Sequence, residues 1–309
     1  MKAGMLLPNV GQHATREDVL YVAKEAEKAG LDSVWVIDRL LWPIKPQTPY
    51  PVTPDGSLPT EYLRVLDPLE TLTYVAANTE RVSLGTSVVD MPYYTPTTLA
   101  RRFTTLDVLS GGRVIAGLGL GWSKDEYDVS NIPFKDRGAR ADEFLEVLKR
   151  IWTDDVVDYK GRFYNVPPSK IGLKPIQKPH PPIVLGGFTP KALTRVAKYA
   201  DGWMPIAGFG PLDQLGQAIN ALREEAKKQG RDPSTIKVFT LSYPNLSESP
   251  VPDDKRPPMT GTIDQIGSDI RQMKEMGSDH IMFGYLFSPI GDDMKRTIDV
   301  STQLAKFAG

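Results

Sequence analysis

Cysteine is absent from the 309-residue chain, and histidine occurs only three times, at His13, His180 and His280. Without cysteine the chain has no disulfides, thiolate zinc sites, iron–sulfur clusters or cysteine nucleophile. Three scattered histidines argue against a multi-histidine metal centre. No G-x-S-x-G motif accompanies them to suggest a Ser-His-Asp triad. We therefore expect no metal at the functional site.

Long apolar runs and an excess of charge of either sign are also missing. No stretch of about 18 consecutive apolar residues occurs, so no membrane span is expected. Lys and Arg number 37 and Asp and Glu 38, a net charge of −1, which provides no basic field for nucleic acid. The first residues, MKAGMLLPNV, do not have the composition of a secretory signal. We expect a cytoplasmic protein with neither nucleic-acid nor membrane partners.

Short apolar runs alternate along the chain with longer amphipathic segments typical of helices. The runs are nearly continuous, as in parallel strands covered by helices. They lie at residues 3–8, 33–38, 82–90, 113–121, 181–188, 202–208, 236–243 and 280–287. Eight such units predict a (β/α)8 TIM barrel of the α/β class, formed by one domain over residues 1–309. A doubly wound open sheet is the alternative, and the even spacing favours the barrel.

Four longer segments interrupt the repeat and are expected as insertions after strands 2, 4 and 7 and before strand 5. They are residues 40–66, 122–138, 245–261 and 153–180. The first of them carries Trp42 and several prolines, and we expect it to form part of a lid or substrate wall. In such a barrel the functional groups lie where strands end and loops begin. Glycine and aromatic residues are frequent there, which suits a flat ring better than a metal.

The segment LGGFTPKAL, residues 185–193, is the sharpest local motif. Gly186 and Gly187 end a strand, and Thr189 opens a helix whose free amides and positive end can bind a phosphate. Glycine also permits close approach of the backbone to a ligand. An ordinary tight turn between strand and helix explains the same residues, so both interpretations remain open.

The run GLGLG, which contains Gly117, Gly119 and Gly121, lacks the G-x-G-x-x-G spacing of a dinucleotide fold. Two interpretations are open for it. Neighbouring side chains of the barrel can crowd these positions and so require glycine. Alternatively, the missing side chains let a ring system lie over the strand.

Three charged residues near strand ends are candidates for catalysis. Asp38 ends the second strand, where polar residues of barrels usually belong to the site. Arg39 cannot act as a base because its guanidinium stays protonated, but it can hold an anion or a developing negative charge. A surface salt bridge is the alternative for Arg39. Glu126 lies after the fourth strand and is either a site residue or a solvated loop acid.

Several longer segments match a known family in their order and spacing. They are SVWVIDRLLWP, DPLETLTYVAANTERVSLGTSVV, PTTLARRFTTLDVLSGGRVIAGLGLGW, FKDRGARADEFLEVLKRIW, ADGWMP and PMTGTIDQIGSDIRQMKEMG. The chain thereby resembles the luciferase-like monooxygenase superfamily, and within it the oxidoreductases that depend on coenzyme F-420, a deazaflavin. The resemblance implies a (β/α)8 barrel, usually dimeric, with a flavin or deazaflavin in its C-terminal mouth.

The resemblance also implies roles for particular residues around the cofactor ring. Thr86, Ser87 and Val88 match a bulge that supports the back of the ring. A non-proline cis peptide is expected between Ser87 and Val88. The ring would lie over Gly117–Gly121, and Asp38 matches an acid beside it.

The phosphate of the cofactor has an expected place as well. Gly186 and Gly187 match the segment that binds this phosphate in the family, together with the adjoining Phe188 and Thr189. This implication agrees with the argument from the free amides of the helix end.

Two positions depart from the family pattern. Arg39 stands where many deazaflavin-dependent relatives have a histidine that acts as a base or hydrogen-bond partner. Trp122 stands where relatives that oxidise a sugar phosphate have a glutamate. The departure at Arg39 leaves the proton-handling group open, while its charge suits polarisation of a carbonyl or a conjugated alkene.

We predict an oxidoreductase that moves a hydride between a bound deazaflavin, coenzyme F-420, and a small organic substrate, as a homodimer. Its candidate catalytic residues are Asp38, Arg39 and Glu126. One alternative is an FMN-dependent monooxygenase that acts with reduced flavin and oxygen. A second is a non-catalytic flavin-binding barrel, which the absence of histidine at position 39 leaves open.

Overall fold

The boundaries of the strands and helices come from a computed structural model, which describes residues 1–309 except Pro54, Phe209, Asp253 and Lys255. The strands of the described chain are β1 (Lys2–Leu6), β2 (Ser33–Val36), β3 (Ser83–Thr86), β4 (Val89–Asp90), β5 (Val114–Gly119), β6 (Val156–Lys160), β7 (Asn165–Lys170), β8 (Ile183–Gly186), β9 (Gly202–Met204), β10 (Ile206–Ala207), β11 (Lys237–Ser242), β12 (Asn245–Leu246), β13 (Thr260–Gly261) and β14 (His280–Phe283). The helices are α1 (Arg16–Lys28), α2 (Pro68–Ala76), α3 (Pro96–Leu109), α4 (Lys124–Val129), α5 (Arg137–Thr153), α6 (Pro190–Tyr199), α7 (Leu212–Lys228), α8 (Ile263–Met276) and α9 (Met294–Ala305). Short 3-10 helices span Thr60–Leu63, Met91–Tyr93 and Pro233–Thr235.

Eight of these strands form a closed parallel barrel. They follow the order β1, β2, β3, β5, β8, β9, β11 and β14, and β14 pairs with β1 to complete the ring. The short strands β4 and β10 continue the paths of β3 and β9. β4 pairs with β5, and β10 pairs with β11. Each of the eight predicted apolar runs overlaps one barrel strand. The closure confirms the predicted (β/α)8 barrel and excludes the open sheet.

Two helices begin at residues whose side chains cap them. Thr15 caps α1 by accepting a hydrogen bond from the Asp18 amide at 3.0 Å. Asp67 caps α2, with Pro68 at the first helical position. Outward-facing strand residues such as Met5 pack against this helical layer. None of the helices in the described residues has both the length and the apolar character needed to cross a membrane.

Large side chains fill the end of the barrel where the strands begin. The rings of Trp35, Phe239 and His280 pack together, with centres 5.2 to 5.9 Å apart. Trp35 Nε1 donates to Ser33 Oγ at 2.7 Å, and the same hydroxyl shares a hydrogen bond of 2.7 Å with His280 Nε2. These buried polar atoms therefore satisfy one another. We call this group the barrel floor; because it closes one end, the open mouth lies where the strands finish.

The four predicted insertions have different structures. Residues 122–138 include α4, residues 153–180 form the antiparallel hairpin β6–β7, and residues 245–261 contribute to the pairing of β12 with β13. Residues 40–66 hold little regular structure and pack their aromatic side chains over the mouth. Pro54 of this segment, and Asp253 and Lys255 of 245–261, lie outside the described residues.

Candidate active site

Two buried carboxyl groups lie side by side at the mouth. Asp38 follows β2 and is 7% exposed, and Asp90 ends β4 and is 8% exposed. The Asp90 amide donates to Asp38 Oδ2 at 3.4 Å. Burial raises the pKa of Asp38 to about 7. Burial, with the neighbouring carboxylates of Asp38 and Glu126, raises the pKa of Asp90 well above its ordinary value.

The Arg39 guanidinium lies inside the mouth and not on the surface. Its side chain is 4% exposed, and its Nη2 lies 3.0 Å from Glu126 Oε1. The guanidinium carbon is 4.8 Å from the centre of the Trp122 ring and 5.9 Å from that of Tyr62. Aromatic faces therefore flank the cation. The surface salt bridge considered for Arg39 is wrong, because both members of the pair are buried.

Glu126 is fully buried, so the alternative of a solvated loop acid is wrong for it. The residue lies on α4, within the insertion that follows β5. Its Oε1 accepts from the Leu40 amide at 2.8 Å, and its Oε2 accepts from the Tyr93 hydroxyl at 3.2 Å. Both carboxylate oxygens are thus fixed by the protein. Glu126 therefore holds Arg39 in one orientation.

Two nitrogens of Arg39 remain without a hydrogen-bond acceptor. Nε and Nη2 are buried, and no described residue accepts a hydrogen bond from either. The contact of Nη2 with Glu126 is close enough for an ion pair, but its geometry is not that of a hydrogen bond. A buried donor without a partner costs roughly 1–3 kcal/mol. This edge of the guanidinium is suited to an oxygen atom of a bound molecule.

The chain after β3 forms the bulge that the family resemblance implies. The Ser87–Val88 peptide bond is cis, which confirms that prediction. Thr86 Oγ1 donates to the Gly117 carbonyl at 2.6 Å, and Ser87 Oγ donates to Met204 Sδ at 3.3 Å. The bulge is therefore fixed to β5 on one side and to β9 on the other.

Crowding by neighbouring residues explains the glycines of GLGLG. A Cβ on Gly117 would collide with the Thr86 carbonyl, and a Cβ on Gly119 would collide with Val88. A Cβ on Gly121 would meet the Tyr93 hydroxyl. The bulge and its neighbours fill the space that these missing side chains leave, and the position of a ring over Gly117–Gly121 stays a prediction. The crowding interpretation is the correct one.

The turn between β8 and α6 presents backbone amides that have no partner. Trp203 Nε1 donates to the Gly187 carbonyl at 2.8 Å, and the N–H of a trans peptide points opposite to its carbonyl. The amides of Phe188, Thr189 and Lys191 have no acceptor among the described residues. Gly187 has a φ of +122°, and a Cβ there would lie 2.9 Å from α6, so glycine is required. These are the donors that a phosphate needs.

The other residues of this turn contribute in different ways. A Cβ on Gly186 would meet only Val88 Cγ1, at the ordinary contact distance of 3.7 Å, so the fold does not require glycine there. The Phe188 side chain is 57% exposed and packs its edge on Trp203. Thr189 caps α6 by accepting from the Ala192 amide at 3.2 Å. A ligand at this turn would therefore contact backbone groups more than side chains.

Sequence inspection missed three residues that shape the site, namely Asp90, Tyr93 and Trp203. Asp90 ends an apolar run in the same way as Asp38, and this shared pattern was the signal available in the sequence. Tyr93 and Trp203 carry no local signal, because their partners Glu126 and Gly187 are 33 and 16 residues away.

Two of the insertions help to line an open cavity of about 300 Å³ beside the mouth. Tyr243 and Phe287 pack edge to face on one side of it, with ring centres 5.0 Å apart. The described residues that line it carry no charged side chain; they are Val52, Thr53, Ala207, Gly208, Tyr243, Asn245, Pro257, Pro258, Thr260 and Phe287. Two of them belong to residues 40–66, so this insertion forms part of a wall. Trp42 stiffens the same segment by donating to the Pro59 carbonyl at 3.1 Å.

Relatives of known sequence match most of the chain. An uncharacterized protein of Mycobacterium tuberculosis H37Rv, Rv0953c, is 36% identical over 213 residues, which are 68% of this chain and 74% of that protein. An F420-dependent glucose-6-phosphate dehydrogenase of Amycolatopsis mediterranei is 34% identical over 250 residues, which are 76% of this chain and 69% of that protein.

A solved structure and a family model agree with this comparison. An F420-dependent secondary alcohol dehydrogenase, in complex with an F420-acetone adduct, covers 100% of this chain and 99% of its own, with a TM-score of 0.81. At 21% identity this likeness shows the fold alone. Residues 1–250 match the family described as luciferase-like monooxygenase. The chain is thus an oxidoreductase and belongs to the luciferase-like monooxygenase family.

Proposed function

We propose that this enzyme transfers a hydride between a bound deazaflavin, coenzyme F-420, and a small neutral carbonyl compound or the corresponding alcohol. The observation that carries the proposal is the buried edge of Arg39, whose Nε and Nη2 have no acceptor in the described chain. The names of a 34% identical relative and of a structure with the same fold support this cofactor branch.

The residues at the mouth fit a planar cofactor with an anionic end. The amides of Phe188 and Thr189 would hold the phosphate, and the bulge at Val88 would support the ring from behind. Gly186, next to Val88, adds no side chain between these two features. Asp38 would lie beside the ring, as in the family pattern. When bound, the deazaflavin supplies the carbon that gives or accepts the hydride.

Arg39 polarises the carbonyl group of the substrate in this proposal. Its Nε and Nη2 donate to the carbonyl oxygen, and its charge stabilises the negative charge that develops there during reduction. Glu126 balances the charge of Arg39, so a neutral carbonyl fits this site better than a full anion. Trp122 and Tyr62 keep the guanidinium plane in place.

Asp38 handles the proton in place of the histidine found in relatives. With a pKa of about 7, its carboxyl group is present in both protonation states near neutral pH. The Asp90 amide fixes Oδ2. The acid form gives a proton during carbonyl reduction, and the carboxylate accepts one during alcohol oxidation.

The cavity beside the mouth indicates the kind of substrate. Its volume of about 300 Å³ suits a small molecule. No described lining residue carries the positive charge that would bind a phosphate. We therefore propose a small ketone, aldehyde or unsaturated carbonyl compound, and not a sugar phosphate.

Binding experiments test the cofactor. Purified protein is titrated with coenzyme F-420 and with FMN, and fluorescence follows the fraction bound. We expect a dissociation constant in the micromolar range or below for the deazaflavin and weaker binding of FMN. Tight binding of FMN without binding of the deazaflavin would contradict the proposal and favour the monooxygenase.

Turnover experiments separate an enzyme of this kind from a flavin-holding barrel. Reduced deazaflavin is mixed with a panel of small ketones, aldehydes and enones, and its reoxidation is followed by absorbance without oxygen. We expect turnover with neutral carbonyl compounds and none with glucose 6-phosphate. Absence of turnover across the whole panel, despite cofactor binding, would favour the non-catalytic alternative.

A further inference from the structure

The chain after β2 wraps around the short helix α4 at the rim of the mouth. On the buried side of α4, Glu126 lies 3.0 Å from Arg39 Nη2 and accepts from the Leu40 amide at 2.8 Å. On its exposed side, α4 binds Gln47. We call residues 39–48 the strap, because they contact both sides of the helix that holds Arg39.

Gln47 joins the strap to α4 through every polar group of its side chain. Its Nε2 donates to Asp125 Oδ1 at 3.3 Å and to Asp128 Oδ2 at 2.8 Å. Its Oε1 accepts from Lys124 Nζ at 2.7 Å, and its backbone amide donates to Asp125 Oδ2 at 3.0 Å. The adjoining Thr48 hydroxyl accepts from the Lys124 amide at 3.1 Å. Asp125 and Asp128 are three positions apart and share one face of the helix, so one glutamine bridges both.

The helix α4 depends on such contacts because it has little stability of its own. It spans six residues, Lys124–Val129, whereas isolated helices shorter than about 12–15 residues are marginal in water. The Ser123 side chain forms no capping bond, and its Oγ is buried without a partner among the described residues. Tyr127 packs on Tyr93, with ring centres 5.2 Å apart, and so anchors the buried side. The strap supplies hydrogen bonds on the exposed side.

The strap is itself fixed to the rest of the molecule, although it contains no helix or strand. Trp42 Nε1 donates to the Pro59 carbonyl at 3.1 Å. Pro43 and Pro46 restrict the backbone that follows, because the proline ring locks the φ angle. A segment restrained in this way can serve as a rigid support for α4.

We propose that Gln47 is a positioning residue, which by holding α4 fixes Glu126 and so aims the unpaired edge of Arg39 into the mouth. Asp125, which Gln47 binds, directly precedes Glu126, so both contacts belong to one helical turn. The inference rests on the proposed function at one point, namely that Arg39 donates to the substrate oxygen. Hydrogen exchange tests the link between Gln47 and Glu126 without any substrate.

Three variants at one position change the group that faces the two acids. Gln47→Ala removes the side-chain contacts, Gln47→Glu places a third carboxylate against Asp125 and Asp128, and Gln47→Lys offers them an ammonium group. Gln229→Ala is the matched control, because Gln229 is an exposed glutamine that donates to the Glu225 carboxylate at 3.2 Å, at the end of α7. Thermal melting confirms that all variants are folded.

Hydrogen-exchange mass spectrometry on overlapping peptides follows the Leu40 amide, which donates to Glu126 and not to Gln47. We expect Gln47→Ala to speed its exchange about fivefold. Gln47→Glu should speed it more, because like charges repel, and added salt should reduce that excess. Gln47→Lys and Gln229→Ala should keep the wild-type rate. Unchanged exchange of the Leu40 amide in Gln47→Glu would overturn the inference.

Initial rates test whether the same contacts act through Arg39. The substrates are reduced deazaflavin and the ketone that the wild type turns over fastest in the carbonyl panel. We expect Gln47→Glu to lower kcat about tenfold and to change KM less, because the donors are misplaced and the cavity is intact. Gln47→Lys should keep the wild-type kcat. In an Arg39→Lys background, Gln47→Glu should lower kcat no further.

The outcomes separate this inference from the proposed function. If exchange of the Leu40 amide rises but kcat does not fall, while Arg39→Lys does lower kcat, the inference is overturned and the proposed function stands. An additive loss of kcat in the double variant would also overturn it, because Gln47 would then act independently of Arg39. If the wild type turns over no carbonyl compound, the proposed function fails, and the exchange rates alone decide whether Gln47 fixes Glu126.

Discussion

Arg39 is held in its orientation by contacts with both its flat surface and its charge. The guanidinium is planar, lies against the Trp122 ring and is paired with Glu126. A lysine keeps the positive charge but has neither the flat surface nor the parallel N–H groups of an arginine. The polarising function therefore depends on the guanidinium itself.

Arg39→Lys is expected to lower kcat about 100-fold, because the paired donors toward the substrate oxygen are lost. KM should change much less, since the apolar cavity still binds the rest of the substrate. Initial rates with saturating reduced deazaflavin measure both constants. The exposed Arg81 offers a control, and Arg81→Lys should leave both unchanged. A wild-type kcat in Arg39→Lys would contradict the polarising role.

Asp38 should make the stability of the protein depend on pH. Its pKa is about 7 in the folded protein and 3.8 in the reference state. Between pH 4 and pH 7 the folded state therefore holds a proton that the unfolded state has lost, so stability falls as the pH rises through this window. The slope is at most about 1.4 kcal/mol per pH unit, and it levels off above pH 7.

The variant Asp38→Asn removes this titration and should flatten that part of the curve. Urea unfolding of both proteins at pH 5 and at pH 8 gives the free energies of unfolding. The amide side chain of the variant cannot release a proton, so the wild type should lose more stability than the variant between the two pH values. Equal losses would show that Asp38 does not retain its proton in the folded state.

At the scale of elements, the β8–α6 turn gives two adjacent glycines different functions. Gly187 has a positive φ and lies against α6, so the fold itself requires it. Gly186 has neither constraint, and a Cβ there would make only an ordinary contact of 3.7 Å with Val88. A substitution at Gly186 therefore tests ligand binding without testing the fold.

Gly186→Leu is expected to weaken cofactor binding roughly tenfold, because the new side chain occupies the space between turn and bulge. Its melting temperature should stay close to that of the wild type. Gly172→Leu is a suitable control, since no atom lies within 4 Å of a Cβ there and its φ is ordinary. Fluorescence titration measures affinity in both variants. Unchanged affinity in Gly186→Leu would remove the phosphate site from the proposal.

Ser33→Ala tests the barrel floor. The change leaves Trp35 Nε1 and His280 Nε2 buried without their shared partner, at a cost of roughly 1–3 kcal/mol in the free energy of unfolding. Ser83 is its register partner on β3, and Ser83→Ala should cost less than about 0.5 kcal/mol. Urea unfolding compares the two. Equal stability of both variants would show that the floor network does not hold the strands.

At the scale of the whole molecule, the local patterns of the sequence predicted the barrel well. The apolar runs and the bulge at Ser87–Val88 depend on residues close together in the chain, or on a family pattern that spans them. The predicted runs extend beyond the C-terminal ends of the observed strands. The reason is that residues such as Asp38 follow the strand and leave the sheet but are still buried.

The contacts inside the mouth could not be predicted in the same way. Arg39 meets Glu126 across 87 positions of sequence, and only the closed ring brings β2 and α4 together. The two interpretations of Gly117 stayed open in the sequence for the same reason, since its neighbour Thr86 lies on another strand. Sequence spacing shows which residues reach the mouth, but the packing between strands decides which of them touch.

The barrel floor has a kinetic consequence. Because Trp35, Phe239 and His280 block one end of the barrel, coenzyme and substrate must enter and leave through the other end. Whichever of the two lies deeper has to enter first and depart last. Double-reciprocal plots should therefore intersect. Product-inhibition patterns should show an ordered sequential mechanism and not a random one.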